Sequence, residues 1–458
     1  MRSACWNTPL TTRPLSVSAQ VIVLVALVVA AYLNSFDGAF QFDDYRVIVD
    51  NPRVHSWSAW LASMPGIRPL LKLSYVISWT PGTGAAAFHA FNLLCHLGST
   101  LLVFALLRRF TAQPATRGLP VLFAALVFAL HPAQTEAVTY ISGRSVSFMA
   151  VCYLGAVFAY VEGRERNRPW LHGVLSPLLF VAAMLVKETA WTLPFALLLW
   201  ERLQRQAAWR DAAARLARHF AVLAGVAALV LASPDYRYLL GISLATRPPL
   251  ENLAAQIHGV FYLITRPLLG LQMNSDPQVS LDVPLMFTAA KAGVLACLLW
   301  LGFHQWRQRP WLAFGILWFF LHLLPTNSLI ARLDLANDRQ LYLALMGPAW
   351  IAAHSLVAVP RRAALSMGIA VVALLAAATF ARNLDYRDEV RFWQAAVQAS
   401  PAKARPWNNL GYALQTAGRT DEARAAYQQA LALDPAQMQA GVNLRLLNEA
   451  RESEDAGK

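Results

Sequence analysis

Charged side chains are scarce in this sequence: Asp, Glu, Lys and Arg make up 14% of its 458 residues, whereas soluble domains average about 25%. Apolar residues make up 57%, and they occur in long blocks separated by short loops that contain arginine. The scarcity of charge excludes a disordered chain, a fibrous protein and a typical cytosolic enzyme. The pattern is typical of a polytopic membrane protein.

Cysteine is also scarce. The four residues Cys5, Cys95, Cys152 and Cys297 show neither the spacing of a metal site nor the pattern of a disulfide framework. Three of the four lie within apolar segments, where cysteine behaves as a small hydrophobic residue. The net charge of +13 comes from arginines that flank apolar segments and not from one basic face. We therefore expect no nucleic-acid partner.

Eleven apolar segments are candidates for membrane-spanning helices, each of which needs about 20 mostly apolar residues. They lie near residues 17–34, 87–107, 119–132, 146–161, 171–186, 188–201, 219–233, 285–303, 311–324, 341–358 and 363–380. Several are short, so their ends are expected to dip into the membrane face or to continue into a loop. No small-residue cleavage site follows the first segment, which favours an uncleaved helix over a secretory signal peptide. The stretch 251–271 contains Pro267 and a mixed face, so we expect it to lie in the interface or to re-enter the membrane.

Arginine clusters set the orientation, because loops rich in Lys and Arg are cytoplasmic as a rule. Counting eleven spans places five clusters on one side: Arg108, Arg109 and Arg117; Arg164, Arg166 and Arg168; Arg202, Arg205, Arg210, Arg215 and Arg218; Arg307 and Arg309; Arg361 and Arg362. Loops 35–86, 132–145, 234–284 and 325–340, together with the tail, are then non-cytoplasmic. The sequence thus predicts an all-α membrane domain over residues 1–382.

The tail, residues 383–458, is polar, in contrast to the apolar segments that precede it. Residues 404–437 fit the 34-residue tetratricopeptide-repeat pattern at nine positions: Trp407, Leu410, Gly411, Leu414, Gly418, Ala423, Tyr427, Ala430 and Pro435. Partial repeats flank this full one. Since fewer than three repeats seldom bury enough core to stand alone, we expect the tail to pack on the membrane domain or on a partner.

Adjacent carboxylates, Asp43 and Asp44, lie in the first predicted external loop. A carboxylate there is suited to act as a general base that takes the proton from an acceptor hydroxyl. Neighbours in sequence usually point in different directions, so one Asp acts as the base while the other orients it or the loop. The alternative is a solvated acidic turn.

Other polar residues gather at the same predicted face. His131 and Glu136 lie near the membrane surface, with interfacial polar groups as the alternative; a zinc site is disfavoured because no second His or Cys has ligand spacing. Lys187 and Glu188 divide two apolar segments, where ionisable groups are costly and often functional; the alternative is a mutual ion pair. Arg339, which precedes Tyr342, is suited to grip a phosphate, with interface anchoring as the alternative.

These residues, with Arg68 and Arg144, come from separate loops but share one predicted face. A group of both charge signs at a membrane face suits a substrate that has an anionic phosphate and a reacting hydroxyl.

Several short motifs occur in a characteristic order. They are Phe42-Asp43-Asp44 with Asn51-Pro52, Arg68-Pro69-Leu70, the segment FHAFNLLCH over 88–96, His131-Pro132 with Thr135-Glu136, Gly143-Arg144, Lys187-Glu188 and Arg339-Gln340-Leu341-Tyr342-Leu343. With the repeat tail, this order resembles the transmembrane and tetratricopeptide-repeat O-mannosyltransferase family and its bacterial relatives. The resemblance runs from about residue 33 to 437; animal members carry longer repeat arrays, and residues 246–283 match only loosely.

The resemblance implies the type C glycosyltransferase fold with about eleven transmembrane helices. It implies transfer of a sugar, mannose in animal members, from a polyprenyl-phosphate carrier to a protein Ser/Thr hydroxyl on the luminal or periplasmic side. The catalytic role maps to Asp43 and Asp44. The implied phosphate- and substrate-binding residues are Arg68, His131, Glu136, Arg144, Lys187, Glu188, Arg339 and Tyr342. Arginine suffices for a lipid monophosphate leaving group, so no metal or other cofactor is expected.

Partners and location follow from the same reasoning. The lipid bilayer and a lipid-linked sugar are expected partners, and the tail is a candidate dock for an acceptor protein. The expected location is a bacterial inner membrane with the active site and the tail in the periplasm. Alternatives are the same fold acting on a lipid or envelope polysaccharide, and a non-catalytic membrane anchor for a repeat scaffold. A transporter is disfavoured, because the charged residues cluster at helix ends and not at mid-membrane.

Overall fold

A computed structural model describes residues 15–64, 66–111 and 118–456 of the chain. Cys5, Arg2, Arg13 and Arg117 lie outside these residues. The described part is helical and contains no β-strand, which confirms the predicted all-α fold.

Every one of the eleven predicted apolar segments falls on helix. The helices of the membrane domain are α1 (Val17–Tyr32), α2 (Trp57–Ala62), α3 (Pro69–Trp79), α4 (Ala85–Phe110), α5 (Leu119–Leu130), α6 (Thr135–Val138), α7 (Arg144–Glu165), α8 (Ser176–Val186), α9 (Leu193–Leu203), α10 (Trp209–Arg215), α11 (Ala217–Ala232), α12 (Pro234–Thr246), α13 (Pro249–Leu263), α14 (Leu285–His304), α15 (Pro310–Leu323), α16 (Leu341–Ala344), α17 (Met346–Val357) and α18 (Arg361–Asn383).

Five helical stretches in the described part are long and apolar enough to cross a membrane: Val17–Asp37, Ala85–Phe110, Ile141–Glu165, Leu285–His304 and Arg361–Tyr386. The number rises to seven if each of two pairs of consecutive helices, separated by a sharp bend, is counted as one span. Two shorter apolar helices, Leu171–Val186 and Pro310–Leu323, are also present. The chain is therefore a multi-pass membrane protein. The count of eleven spans stays a prediction.

One of the bends lies after α5, where the chain turns by 49°. Pro132 cannot donate a main-chain hydrogen bond, and it disfavours helical geometry in the residue before it. His131 accordingly adopts an extended conformation, with φ −71° and ψ 129°. The bend ends the apolar helix and leads into the short helical turns that connect α5 to α7.

The long helices differ in their surroundings. The span that contains α7 is the most enclosed, with 72% of its apolar window buried, whereas α14 has 6% buried. Helix α7 packs on α4 and α8, so it lies at the centre of the domain and α14 lies at its edge. The loops that lead into and out of these helices on one side, 35–86, 132–145, 234–284 and 325–340, form a surface that we call the loop face.

The tail consists of α19 (Glu389–Ala399), α20 (Ala404–Thr416), α21 (Thr420–Leu433) and α22 (Met438–Ala456). Helices α20 and α21 pack so closely that a Cβ on Gly411 would lie 2.6 Å from the ring of Tyr427. Gly418 has φ +75° in the turn between them, a conformation that favours glycine. Tyr140 of the membrane domain shares an apolar cluster with Trp393 of the tail. The tail thus packs on the loop face.

Candidate active site

The two adjacent carboxylates have different surroundings, and Asp44 is the enclosed one. Its side chain is 0% exposed. It accepts hydrogen bonds from the backbone N–H of Gln41 at 3.0 Å, from the backbone N–H of Ser142 at 2.8 Å and from the Ser142 hydroxyl. Burial raises the pKa of the Asp44 carboxyl to about 7, although these hydrogen bonds oppose the shift. Asp44 therefore ties the first loop to the second.

Asp43 is half-buried and its carboxylate has no hydrogen-bond or ion-pair partner within the described part of the chain. Its backbone N–H donates to the Tyr140 hydroxyl at 3.2 Å. Burial alone would lower the pKa of Arg339, but the negative charges of Glu136 and Asp43 and the nearby Tyr140 outweigh that effect. Asp43 is thus a free carboxylate within electrostatic reach of Arg339.

The second loop reaches this region because Gly143 allows a close approach. A Cβ at Gly143 would lie 2.1 Å from the carbonyl oxygen of Glu136. Any side chain there would push the turn at residues 141–143 away from α6. The glycine therefore places Ser142 within reach of Asp44.

Arg68 and Glu188 join the first loop to the turn before α9. The Arg68 guanidinium binds Glu188 through both Nε, at 2.9 Å from Oε1, and Nη2, at 2.8 Å from Oε2. Burial would raise the pKa of Glu188, but the charge and hydrogen bonds of Arg68 lower it to about 2. Arg68 has φ +53°, a strained conformation for a side chain of this size. The bidentate ion pair with Glu188 stabilises Arg68 in this conformation.

Three cations, Lys187, Arg332 and Arg339, line a small cavity of about 40 Å³. Lys187 is 7% exposed, and within the described residues its amine makes one hydrogen bond, a long one of 3.5 Å to the Ser145 hydroxyl. Burial lowers the pKa of the Lys187 amine, and the charges of Arg332, Arg339 and Arg68 lower it further. A buried amine among arginines is an electrostatic arrangement that an anion would stabilise.

Arg332 is the second unpaired cation of the cavity. Its guanidinium makes no hydrogen bond or ion pair within the residues that the structure describes. Burial, together with the charges of Arg339 and Arg68, lowers its pKa to about 10. We call Lys187, Arg332 and Arg339 the cation cluster.

Glu136 holds Arg339, the third member of the cluster, in place. Its Oε2 accepts the backbone N–H of Arg339 at 2.9 Å, and its Oε1 lies 3.4 Å from the Arg339 Nε. This pair joins the second loop to the fourth. Glu136 therefore acts on the site through Arg339.

Three predicted substrate-binding residues, His131, Arg144 and Tyr342, occupy enclosed positions where nearby groups already use their polar atoms. The Nδ1 of His131 accepts from the backbone N–H of Ala133 at 3.2 Å, and its Nε2 lies 3.3 Å from the Leu268 carbonyl oxygen. Both ring nitrogens are thus used by main-chain groups, one at the bend after α5 and the other at Leu268, in the turn that follows α13. The geometry gives His131 a structural position.

Arg144 is fully enclosed, and its guanidinium is bound on every nitrogen. It is 0% exposed, and each guanidinium nitrogen donates: Nε to Asn92 at 2.7 Å, Nη1 to the Ser74 carbonyl at 2.8 Å and Nη2 to the Phe88 carbonyl at 3.0 Å. Its guanidinium also lies 4.4 Å from the centroid of the Phe91 ring. Arg144 pins α3, α4 and α7 together and presents no face to a substrate.

Tyr342 is likewise fully buried, and its hydroxyl lies 2.8 Å from the Nδ1 of His96. The structure therefore separates the predicted residues into two groups. Asp43, Asp44, Arg68, Glu136, Lys187, Glu188 and Arg339 meet at the loop face. His131, Arg144 and Tyr342 serve the packing beside it.

Sequence reasoning did not include Arg332 or Ser142 among the site residues. Arg332 lies in the same predicted external loop as Arg339, so its place in the chain was a signal. Ser142 gave no signal, because its role depends on the approach of two loops that are 98 residues apart.

Comparisons with known proteins match most of the chain. The tetratricopeptide-repeat family matches residues 404–437. Protein O-mannosyl-transferase F38B6.6 of Caenorhabditis elegans is 24% identical over 451 residues, which cover 91% of this chain and 63% of that protein. Protein O-mannosyl-transferase TMTC3 of mouse is 24% identical and covers 95% and 54%, respectively. Protein O-mannosyl-transferase Tmtc1 of Drosophila melanogaster is 36% identical over 183 residues, which cover 36% of this chain and 21% of that protein.

The chain therefore spans less than two thirds of the length of these relatives. No solved structure matches it. The matches to proteins named as O-mannosyl-transferases extend over most of the chain, and a repeat lies where the sequence predicts it. The predicted resemblance is confirmed.

Proposed function

We propose that this protein is a membrane glycosyltransferase that moves a sugar from a polyprenyl-phosphate carrier to a Ser or Thr hydroxyl of a protein. Mannose is the sugar by likeness to the relatives, which are named protein O-mannosyl-transferases. One observation carries the proposal: the half-buried carboxylate of Asp43, which has no partner within the described residues, lies within electrostatic reach of Arg339, a member of the cation cluster at the loop face.

Asp43 is the general base in this proposal. Its carboxylate takes the proton of the acceptor hydroxyl while the acceptor oxygen forms a bond to the anomeric carbon of the sugar. Asp44 is unsuited to that role, because it is fully buried and three donors occupy it. Asp44 instead fixes the loop that presents Asp43.

The cation cluster receives the leaving group. As the bond between the anomeric carbon and the phosphate oxygen breaks, the electron pair stays on that oxygen, and the carrier phosphate gains a second negative charge. Lys187, Arg332 and Arg339 are already in place where that charge develops, and preorganised cations are an effective source of transition-state stabilisation. In this proposal, side chains of the protein itself stabilise the charge on the leaving phosphate.

The acceptor reaches Asp43 from the side of the tail. A groove of about 510 Å³ lies between the first loop and the tail, with Phe40 and Tyr45 on one wall and Gln394, Thr416 and Ala417 on the other. Phe40 and Tyr45 flank the acidic pair in the chain. An extended polypeptide in this groove would therefore contact the loop that carries Asp43.

The loop face is the non-cytoplasmic side in this proposal, and the periplasm is the compartment if the membrane is a bacterial inner membrane. The support is the placement of the arginine clusters, which gather at the opposite face. A cysteine-accessibility experiment in intact cells tests the orientation: we expect an impermeant maleimide to label Asp50→Cys and not Arg361→Cys.

Transfer assays on purified protein test the activity. With labelled polyprenyl-phosphate mannose and a library of Ser/Thr peptides, we expect Asp43→Asn to lower the rate of transfer by about a hundredfold or more, since general-base catalysis contributes about 10²–10⁴-fold. Asp50→Asn, which neutralises an exposed carboxylate in the same loop, is the matched control and should retain the wild-type rate. Full activity of Asp43→Asn would refute the assignment, and product on lipid or polysaccharide alone would favour the alternative acceptors.

A further inference from the structure

The tail contacts both loops that carry the proposed reacting groups. We call residues 41–44, which include Asp43, the base loop, and residues 332–339, which include two members of the cation cluster, the cation loop. Each loop is bonded to a different part of the tail. The tail could therefore set their relative position as well as line the acceptor groove.

The contact with the base loop is made at a strained residue. Phe42 has φ +48°, a left-handed conformation that is unfavourable for a residue with a side chain. Such a conformation persists only where the surroundings hold it. The Phe42 N–H donates to Oε1 of Glu389 at 2.9 Å, and its ring packs edge-on against Trp393, with centroids 5.1 Å apart. Both of these partners belong to α19 of the tail.

The contact with the cation loop is ionic. Arg405 at the start of α20 donates from Nη2 to Asp334 at 2.6 Å and from Nε to Asp276 at 2.7 Å. Lys403 also binds Asp276, which is 2% exposed. Asp334 lies between Arg332 and Arg339 in the chain. The tail therefore holds the middle of the cation loop.

A second path of hydrogen bonds reaches the end of the same loop. The hydroxyl of Ser400 accepts from the Asn274 side chain at 2.7 Å and donates to the Asp276 carbonyl oxygen at 3.0 Å. The backbone N–H of Asn274 in turn donates to Asp338 at 3.0 Å. Asp338 directly precedes Arg339, so this path ends at the cation cluster.

We propose that the tail is a brace that fixes the base loop relative to the cation loop, and that Glu389 and Arg405 are positioning residues for sugar transfer. The inference rests on the proposed function. It adds that the tail acts on the chemical step, whereas a tail that only docks the acceptor would act on acceptor affinity. Misplacement of reacting groups by about 1 Å can slow a reaction by about a hundredfold, so a loosened brace would lower kcat.

Arg405 is the position that separates the two roles, because it lies outside the acceptor groove. In the full-length protein with labelled polyprenyl-phosphate mannose and the Ser/Thr peptide library, we expect Arg405→Ala to lower kcat by about tenfold with little change in acceptor KM. Arg405→Lys keeps a charge for one of the two carboxylates and should recover part of the rate. Glu449→Ala, an exposed change on α22, is the control and should match the wild type.

Glu389 tests the contact with the base loop. Glu389→Ala removes the acceptor for the Phe42 N–H, whereas Glu389→Gln keeps a carbonyl oxygen in that place. We expect the alanine variant to lose kcat and the glutamine variant to keep most of it. Equal losses in both variants would show that the hydrogen bond to Phe42 does not matter and would overturn this half of the brace.

The outcomes separate this inference from the proposed function. Absence of transfer by the wild-type protein would refute the proposed function itself. Active wild type with unchanged kcat in Arg405→Ala, or with only a raised acceptor KM, would leave that function standing and overturn the brace. A melting temperature for each variant, measured in the same detergent, excludes global unfolding as the cause of a lost rate.

Discussion

The two faces of the membrane domain use their charges differently. At the face opposite the loops, buried carboxylates match the arginines: Glu201, which is 0% exposed, accepts from Arg164 at 3.2 Å, from Arg215 at 3.1 Å and from the Tyr160 hydroxyl at 2.8 Å. At the loop face, Lys187 and Arg332 have no carboxylate bound to them within the described residues. Paired charges fix helices, whereas buried cations without partners leave room for an anion.

The same contrast occurs within the loop face. Arg68 with Glu188 and Arg339 with Glu136 are ion pairs that join loops. Lys187 directly precedes Glu188 in the chain, yet its amine forms no ion pair within the described residues and so does not join two loops. Proximity of charged residues in sequence therefore does not reveal which of them is available to a substrate.

Removal of Glu201 should produce the largest change in stability. Glu201→Ala leaves two arginines and a buried tyrosine hydroxyl without their acceptor, and breaking a buried ion pair costs about 3–5 kcal/mol of unfolding free energy. Glu165→Ala, which breaks a partly exposed pair with Arg109, is the matched control and should cost less than about 1 kcal/mol. Denaturant unfolding in detergent measures both, and similar losses would remove the distinction between buried and exposed pairs.

Neutralising Lys187 should have the opposite consequence: stability is kept while activity is lost. Lys187→Met removes a buried amine that has no carboxylate bound to it, so we expect unchanged or greater stability. Transfer from polyprenyl-phosphate mannose should fall by about a hundredfold, as when one preorganised donor to a developing charge is lost. Arg53→Met removes an exposed cation of the first loop and should leave the rate unchanged. A variant that is both active and stable would contradict the assigned anion site.

The Arg68–Glu188 pair should give a smaller effect that depends on pH. The pKa of Glu188 is about 2 in the folded chain and about 4.3 when unfolded. Its contribution to stability is therefore present above pH 4.3 and is lost as the pH falls toward 2. Both side chains are about one third exposed, so we expect about 1 kcal/mol. Unfolding free energies at pH 6 and pH 3.5 should differ less in Glu188→Gln than in the wild type; an identical difference would exclude Glu188 as the titrating group.

Much of the fold could be predicted because the signals are local. Apolar segments became helices, Pro132 ends one of them, and the repeat pattern places Gly411 against Tyr427. The site was harder to predict, since a residue type and its loop do not reveal its partners. The sequence suggested Arg144 as a phosphate ligand. In the structure its guanidinium donates hydrogen bonds to Asn92, Ser74 and Phe88, which belong to two other helices.

The sequence by itself determined which segments are helical and which polar residues lie in the loops between them, because hydropathy and turn chemistry act over a few neighbouring residues. Only the tertiary structure decided that Asp44 is fully buried and hydrogen-bonded while Asp43 is half-buried without a partner, and that Glu201 has its cations while Lys187 lacks an anion. Those differences arise from contacts between segments far apart in the chain. Residue identity alone does not decide the role of a charged side chain. Its burial and its ion-pair partners at such contacts decide whether it stabilises the fold or remains available to a ligand.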